Sequence, residues 1–128
     1  MMEPFSDLEA VQNPVARARG LANAHYTDLS VYEVEKHALL FRQWAGLGVA
    51  ADIPQIGDAK PVDFLDVPLV MIRDRSNRVR VFQNICRHRG MILIDAPKKI
   101  EGAIRCPYHS WCYATDGRLI STPHVGGP

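Results

Sequence analysis

Two short stretches, Cys86-Arg87-His88-Arg89-Gly90 and Cys106-Pro107-Tyr108-His109-Ser110-Trp111, decide how this chain is read. Each offers one thiol and one imidazole, two or three residues apart, and seventeen residues separate His88 from Cys106. Both follow runs that read as β-strands, so the donors fall on loops at strand ends. Either stretch alone is a weak signal. Together they bring two cysteines and two histidines to paired loops, which is a metal-binding pattern. The order within each loop also matters. A zinc finger usually places its cysteines in one element and its histidines in another, whereas here each loop runs Cys, then His.

The surrounding sequence supplies the scaffold. Lys60 to Asp66, Leu69 to Arg75 and Arg78 to Asn84 are short runs rich in β-formers, the last two with period-two alternation. Ser76-Asn77 predicts a hairpin turn between the last two, and Asp116-Gly117 predicts another between Trp111–Thr115 and Arg118–Ile120. The expected fold class is mostly β: an antiparallel sheet domain carrying two donor loops, preceded by an N-terminal helix. For that helix, Ser30 with Glu33 three residues later reads as a capping box. Val31, Val34, His37, Ala38 and Phe41 follow helical spacing, and Gly46 and Gly48 bound it. His37 reads as a packing histidine at the edge of the apolar stripe. Residues 1 to about 28 keep no sustained period and read as a loosely ordered arm with at most one helical turn. The expected division is residues 1–43 for arm and helix and 44–128 for the β domain.

Composition bounds the function. With 47% hydrophobic and 23% charged residues, the 128-residue chain is an ordinary globular sequence and not a disordered one. Fifteen Lys and Arg against fourteen Asp and Glu leave a formal charge of +1. Such a balance argues against a nucleic-acid partner. The longest uncharged run, Trp44 to Ala51, is too short to span a membrane, and no basic start leads into an apolar stretch. Neither membrane association nor export is expected, and the cytosol is the expected compartment. Three cysteines are an odd count for a disulfide framework. A domain this small gains from a bound metal.

Two thiolates and two imidazoles suit a tetrahedral zinc ion. They also suit a Rieske [2Fe–2S] centre, in which two histidines replace two cysteines on one iron. With Cys and His alternating, each loop can send one donor to each iron. The wider context, from Phe82-Gln83-Asn84 through both loops to Tyr113 and Asp116-Gly117-Arg118-Leu119, resembles the N-terminal domain of Rieske non-haem iron oxygenase α subunits. The resemblance covers about residues 40 to 124. It implies that Cys86 and Cys106 hold the inner iron and that His88 and His109 hold the outer one. Two ferric ions, two sulfides and two thiolates then sum to zero charge, which lowers the cost of burial. Imidazole ligation also raises the reduction potential relative to thiolate ligation.

The resemblance implies lesser roles nearby. Gly90 and Pro107 shape the loops, and Trp111 either covers the cluster or serves as a core aromatic. Tyr108 and Tyr113 either donate hydrogen bonds near the sulfurs or simply pack. Arg87 and Arg89 flank His88 and would dock an acidic electron donor, pair with a neighbouring subunit, or stay solvated. Respiratory and photosynthetic Rieske proteins carry an extra disulfide. Met91 and Tyr108 stand at its positions here, so it cannot form. Cys112 has no evident partner and reads as a buried thiol rather than a fifth ligand. Ser110 stands where the oxygenases usually have glycine, which raises the question of whether the second loop keeps its shape.

Oxygenases of this kind react at a mononuclear Fe(II) held by two histidines and a carboxylate in a C-terminal catalytic domain. Beyond the two cluster histidines this chain has only His25, His37 and His124, which form no such motif. That domain is expected to lie outside this chain. The expected role is transfer of single electrons from a ferredoxin or flavoprotein reductase to the mononuclear iron of an oxygenase catalytic domain, that of a neighbouring subunit, for aromatic-ring or quaternary-amine hydroxylation. A stand-alone Rieske ferredoxin and a structural Cys2His2 zinc module are the alternatives.

Overall fold

The computed structural model describes residues 8–123, so His124 lies outside the described residues. The chain divides into two compact units, residues 1–45 and 46–128.

The first unit contains helices α1 (Glu9–Gln12), α2 (Ala24–Thr27) and α3 (Leu29–Ala38), followed by a 3-10 turn over Leu40–Arg42. The expected arm therefore carries two short helices. The cap of α3 differs from the expectation. Asp28, not Ser30, caps it: the Asp28 carboxylate accepts both the Ser30 N–H and the Ser30 hydroxyl at 2.8 Å. A charged carboxylate is the stronger acceptor for the positive end of a helix, and Ser30 is drawn inside as a donor. Only the first part of the expected apolar stripe is covered. Val31 is buried and Val34 half-buried, while His37, Ala38 and Phe41 are exposed.

The second unit is all β apart from a 3-10 turn at Ala50–Asp52. Its strands are β1 (Asp58–Phe64), β2 (Val67–Arg73), β3 (Val79–Gln83), β4 (Lys98–Lys99), β5 (Ala103–Arg105), β6 (Cys112–Ala114) and β7 (Leu119–Ser121). They form a four-stranded sheet ordered β3-β2-β1-β4 and a three-stranded sheet ordered β5-β6-β7, antiparallel throughout. The mostly β antiparallel reading holds. β1 and β2 each begin two residues earlier than the alternation suggested, because Leu65 and Asp66 make a two-residue turn with φ of 52° and 68°. The Asp63 carboxylate accepts the Asp66 N–H at 3.1 Å and steadies it. Leu-Asp lacks the Asn-Gly signature of such turns. β4 and β5, at two and three residues, are too short to leave a period in the sequence.

One face of the first sheet turns toward the second. Ala59, Val70 and Ile72 join Leu93, Ile94, Ile104, Tyr113, Cys86 and Cys106 in a single core, with Phe82 packed on it. Ile72 and Ile94 are fully buried, each contributing about 2–3 kcal/mol. The other face of that sheet is strapped by the segment ahead of β1. Arg73 donates through Nε to the Ile53 carbonyl at 2.7 Å and through Nη2 to the Ala50 carbonyl at 3.1 Å. Lys60 pairs with Asp52 at 3.2 Å.

Two hairpin tips share one design. In Asp74–Arg78 and in Ala114–Arg118, the first residue's N–H bonds the last residue's carbonyl at 2.8 Å. The fourth residue, Asn77 or Gly117, takes a positive φ of 61° or 95°. At Gly117 a Cβ would stand 2.6 Å from the Phe82 ring, so both conformation and space select glycine. At the first tip the buried Asp74 carboxylate does the organising. It accepts the Ser76 and Arg78 N–H groups at 2.8 and 2.9 Å and the Arg80 Nε–H at 2.9 Å.

Those bonds, the Arg78 N–H first and the Arg80 guanidinium next, hold the Asp74 carboxyl below its ordinary 3.8 against the opposing effect of burial. A depressed carboxyl adds stability above its unfolded pKa and loses that contribution as pH falls through the folded value. Asp74→Asn should therefore lower the urea midpoint at neutral pH. The gap from the parent chain should close as pH falls below about 4, read from denaturation midpoints across pH.

Candidate metal centre

The donor loops hang from strand ends by the same backbone device. In the first, the Cys86 N–H donates to the Met91 carbonyl at 2.8 Å and the Gly90 N–H returns to the Cys86 carbonyl at 2.9 Å. In the second, the Cys106 N–H donates to the Trp111 carbonyl at 2.8 Å and the Ser110 N–H returns to the Cys106 carbonyl at 3.1 Å. Each closure needs a left-handed residue at the fifth position, and Gly90 (φ 70°) and Ser110 (φ 61°) supply it. The serine therefore keeps the shape that glycine would give.

Anchors lie behind both loops. Asn84, buried at the end of β3, accepts the Ile94 N–H at 2.9 Å and donates to the Ile94 carbonyl at 2.6 Å. With the Ile85–Ile92 bridge, this pins the base of the first loop. The second loop is carried by β5 and β6, which pair Arg105 with Cys112.

The four donors stand as two pairs. Cys86 and Cys106 are each only 2% exposed and belong to the same apolar core. His88 and His109 are half-buried, with ring centroids 4.8 Å apart at 69°. The indole of Trp111 stacks on His88 at 4.8 Å and 9°, and Tyr108, exposed, lies against His109 at 3.7 Å. Trp111 also packs on the core, as its reading as a core aromatic expects.

Tyr113, buried in β6, ties the inner pair to the first loop. Its hydroxyl accepts the Arg87 N–H at 3.0 Å and lies 3.3 Å from the Cys86 sulfur. Since the oxygen accepts from the backbone, its own proton is directed at sulfur. Burial first, and then the Cys86 sulfur, push the Tyr113 phenol up to about 12, so it stays a donor. Burial would raise the Cys86 thiol as well. Donation from Tyr113, the His88 and Arg89 N–H groups and Cys106 outweighs it and leaves the thiol below its ordinary value.

Other residues singled out from the sequence lie apart from this constellation. Cys112 is half-buried in β6 and donates to the Ser110 carbonyl at 3.2 Å. Arg87 and Arg89 are exposed. His25 and His37 belong to α2 and α3 of the first unit. Sequence reasoning gave Asn84 no role. Its signal is parity: it shares the inward face with Phe82, where a polar side chain must find buried partners.

The donor set fits a two-iron, two-sulfide group. Two buried thiols suit the inner iron, and two half-buried imidazoles suit the other. Among the described residues no three His, Cys, Asp or Glu side chains form a site for one ion, as a zinc centre would. Backbone and phenolic donors converge on a cysteine sulfur, the surroundings that favour negative sulfur.

Comparison with known proteins agrees. The family described as Rieske [2Fe-2S] domain matches residues 43–127, and the chain belongs to it. It is a cluster-binding, electron-transferring domain of the kind found in the α subunits of Rieske oxygenases. The biphenyl dioxygenase α subunit of Metapseudomonas furukawaii is 34% identical over 116 residues, covering 90% of this chain and 25% of that protein. The glycine betaine monooxygenase oxygenase subunit of Chromohalobacter salexigens is 30% identical, covering 92% and 30%. The crystal structure of the quaternary ammonium Rieske monooxygenase CntA bound to L-carnitine superposes with a TM-score of 0.78 at 30% identity, over 84% of this chain and 30% of that one. Naphthalene 1,2-dioxygenase from Rhodococcus sp. gives 0.72 at 30%, over 79% and 23%. The chain thus spans 25–30% of the length of these two curated relatives.

The matched loops yield a direct test. A Cβ at Gly90 would meet nothing within 4 Å, so alanine there suffers only from the left-handed backbone. Gly90→Ala should cost about 1 kcal/mol, and Ser110→Gly should add stability of no more than that. Paired denaturation curves of the two variants would check both.

Proposed function

We propose that this chain is the electron-entry part of a Rieske non-haem iron oxygenase. It takes single electrons from a ferredoxin or flavoprotein reductase and passes them to a mononuclear iron in an oxygenase catalytic domain, that of a neighbouring subunit. The substrate class is an aromatic ring or a quaternary amine, the two classes named among its relatives. In this reading residues 1–43 are a leading arm and helix, residues 44–128 are the cluster domain, and the protein works in the cytosol without a nucleic-acid or membrane partner. No helix among the described residues is long and apolar enough to cross a membrane.

The observation that carries the proposal is the split of the donors into a buried thiol pair and a half-buried pair of neighbouring imidazoles. Cys86 and Cys106 hold the inner iron, and His88 and His109 hold the outer iron. The cluster supplies one-electron chemistry. The chain's residues set its terms. Tyr113 and the His88 and Arg89 N–H groups stabilise negative sulfur at Cys86. Trp111 and Tyr108 box the imidazoles between aromatic rings. Arg87 and Arg89 flank His88 at the surface and favour an acidic donor protein.

Metal and sulfide analysis with EPR of the dithionite-reduced, anaerobically purified chain tests the reading. Two irons, two sulfides and a rhombic signal of low average g are expected. Zinc without sulfide, persisting after reconstitution with iron and sulfide, would overturn it. Within a loaded domain, Tyr113→Phe should keep the iron but lower the reduction potential by on the order of tens of millivolts, because a hydrogen bond to sulfur is lost. A redox titration followed by EPR would measure this.

A further inference from the structure

Between the two matching hairpin tips lies a cleft of about 560 Å³, lined by Arg75 and Arg78 from one tip and Arg118 from the other. It shares no residue with the donor loops. Its arginines are held in a particular way. Asp74 faces the Nε edges of Arg80 at 2.9 Å and Arg78 at 3.7 Å, and Asp116 takes the Nε edge of Arg118 at 2.9 Å. No hydrogen bond among the described residues engages the Nη groups of these three. Arg75 gives one Nη2 contact to the Gly102 carbonyl at 3.3 Å and has no carboxylate partner among the described residues.

The lining holds Arg75, Arg78 and Arg118 against Asp74 and Asp116, one positive charge in excess, and Arg80, outside the lining but bonded to Asp74, adds a second. The remaining lining includes Ala103, Ala114 and Ile120, an apolar surface beside the cationic rim.

We infer that this cleft binds a multiply charged oxyanion of the phosphate-ester class, with the ester's carbon part against the apolar lining. Planar guanidinium forks match the geometry of phosphate oxygens, and a dianion neutralises the local excess. Asp116 takes the Nε edge of Arg118, which leaves the Nη edge of that fork open to a ligand. This site is independent of the cluster and of the electron-transfer reading.

Calorimetric titration of the full chain with inorganic pyrophosphate, at ionic strength held constant with sodium chloride, tests it. A saturable one-site isotherm is expected. Arg75→Gln and Arg118→Gln should each weaken binding about tenfold, while Arg87→Gln and Lys98→Gln, outside the cleft, should leave it unchanged. No saturation, no loss in the cleft variants, or an equal loss in all four would each overturn the assignment, the last by revealing diffuse attraction to basic surface. Far-UV circular dichroism of each variant confirms that a loss of binding is not a loss of fold.

Discussion

Two thiols buried in one core, from two separate loops, constrain everything else in the β domain. Cys86 and Cys106 sit inside the same apolar core as Ile72 and Ile94. A polarisable thiol is tolerated there, but a thiolate is not unless donors surround it. Tyr113 and the first loop's N–H groups meet that requirement, and β6 exists in part to carry the tyrosine to that place. The two sheets, the clamp at Asn84 and the left-handed residues at Gly90 and Ser110 then follow as the means of burying two sulfurs in one core while leaving two imidazoles half-buried.

Much of this was legible in the sequence, for identifiable reasons. The alternation around Val70 and Ile72 and the Asp116-Gly117 pair are local signals, and they led to the right strands and the right hairpin. The Cys-x-His and Cys-x-x-His stretches announce a metal centre by chemistry alone. What stayed hidden depends on partners distant in the chain. Leu65-Asp66 makes a two-residue turn without the usual residues because β1 and β2 pair well enough to impose it. The cap at Asp28 was overlooked because Ser30 and Glu33 fit the local pattern. Whether Ser110 could replace glycine was undecidable from one strand of text. It becomes plain once its backbone hydrogen bonds are compared with those of Gly90.

The molecule also separates its charges by task. Along the donor loops the arginines are exposed and single, flanking a half-buried histidine. At the hairpin tips they are clustered and braced by carboxylates. Asp74 shows how such bracing is reconciled with folding: one buried carboxylate closes a turn, orients guanidinium groups and remains ionised because its donors are backbone and arginine together.

The duplicate closure of the donor loops has an evolutionary consequence. Their shape is set by main-chain bonds at the first, fifth and sixth positions, and the cysteine and histidine occupy only the first and one other. Arg87, Arg89, Pro107 and Tyr108 all face outward, and none is needed to hold the loop closed. Arg87 and Arg89 can therefore change, by natural drift or by design, without opening the first loop, whereas Tyr108 also touches His109. The frame of each loop is written in main-chain bonds and the surface it presents in side chains, so the two are separable.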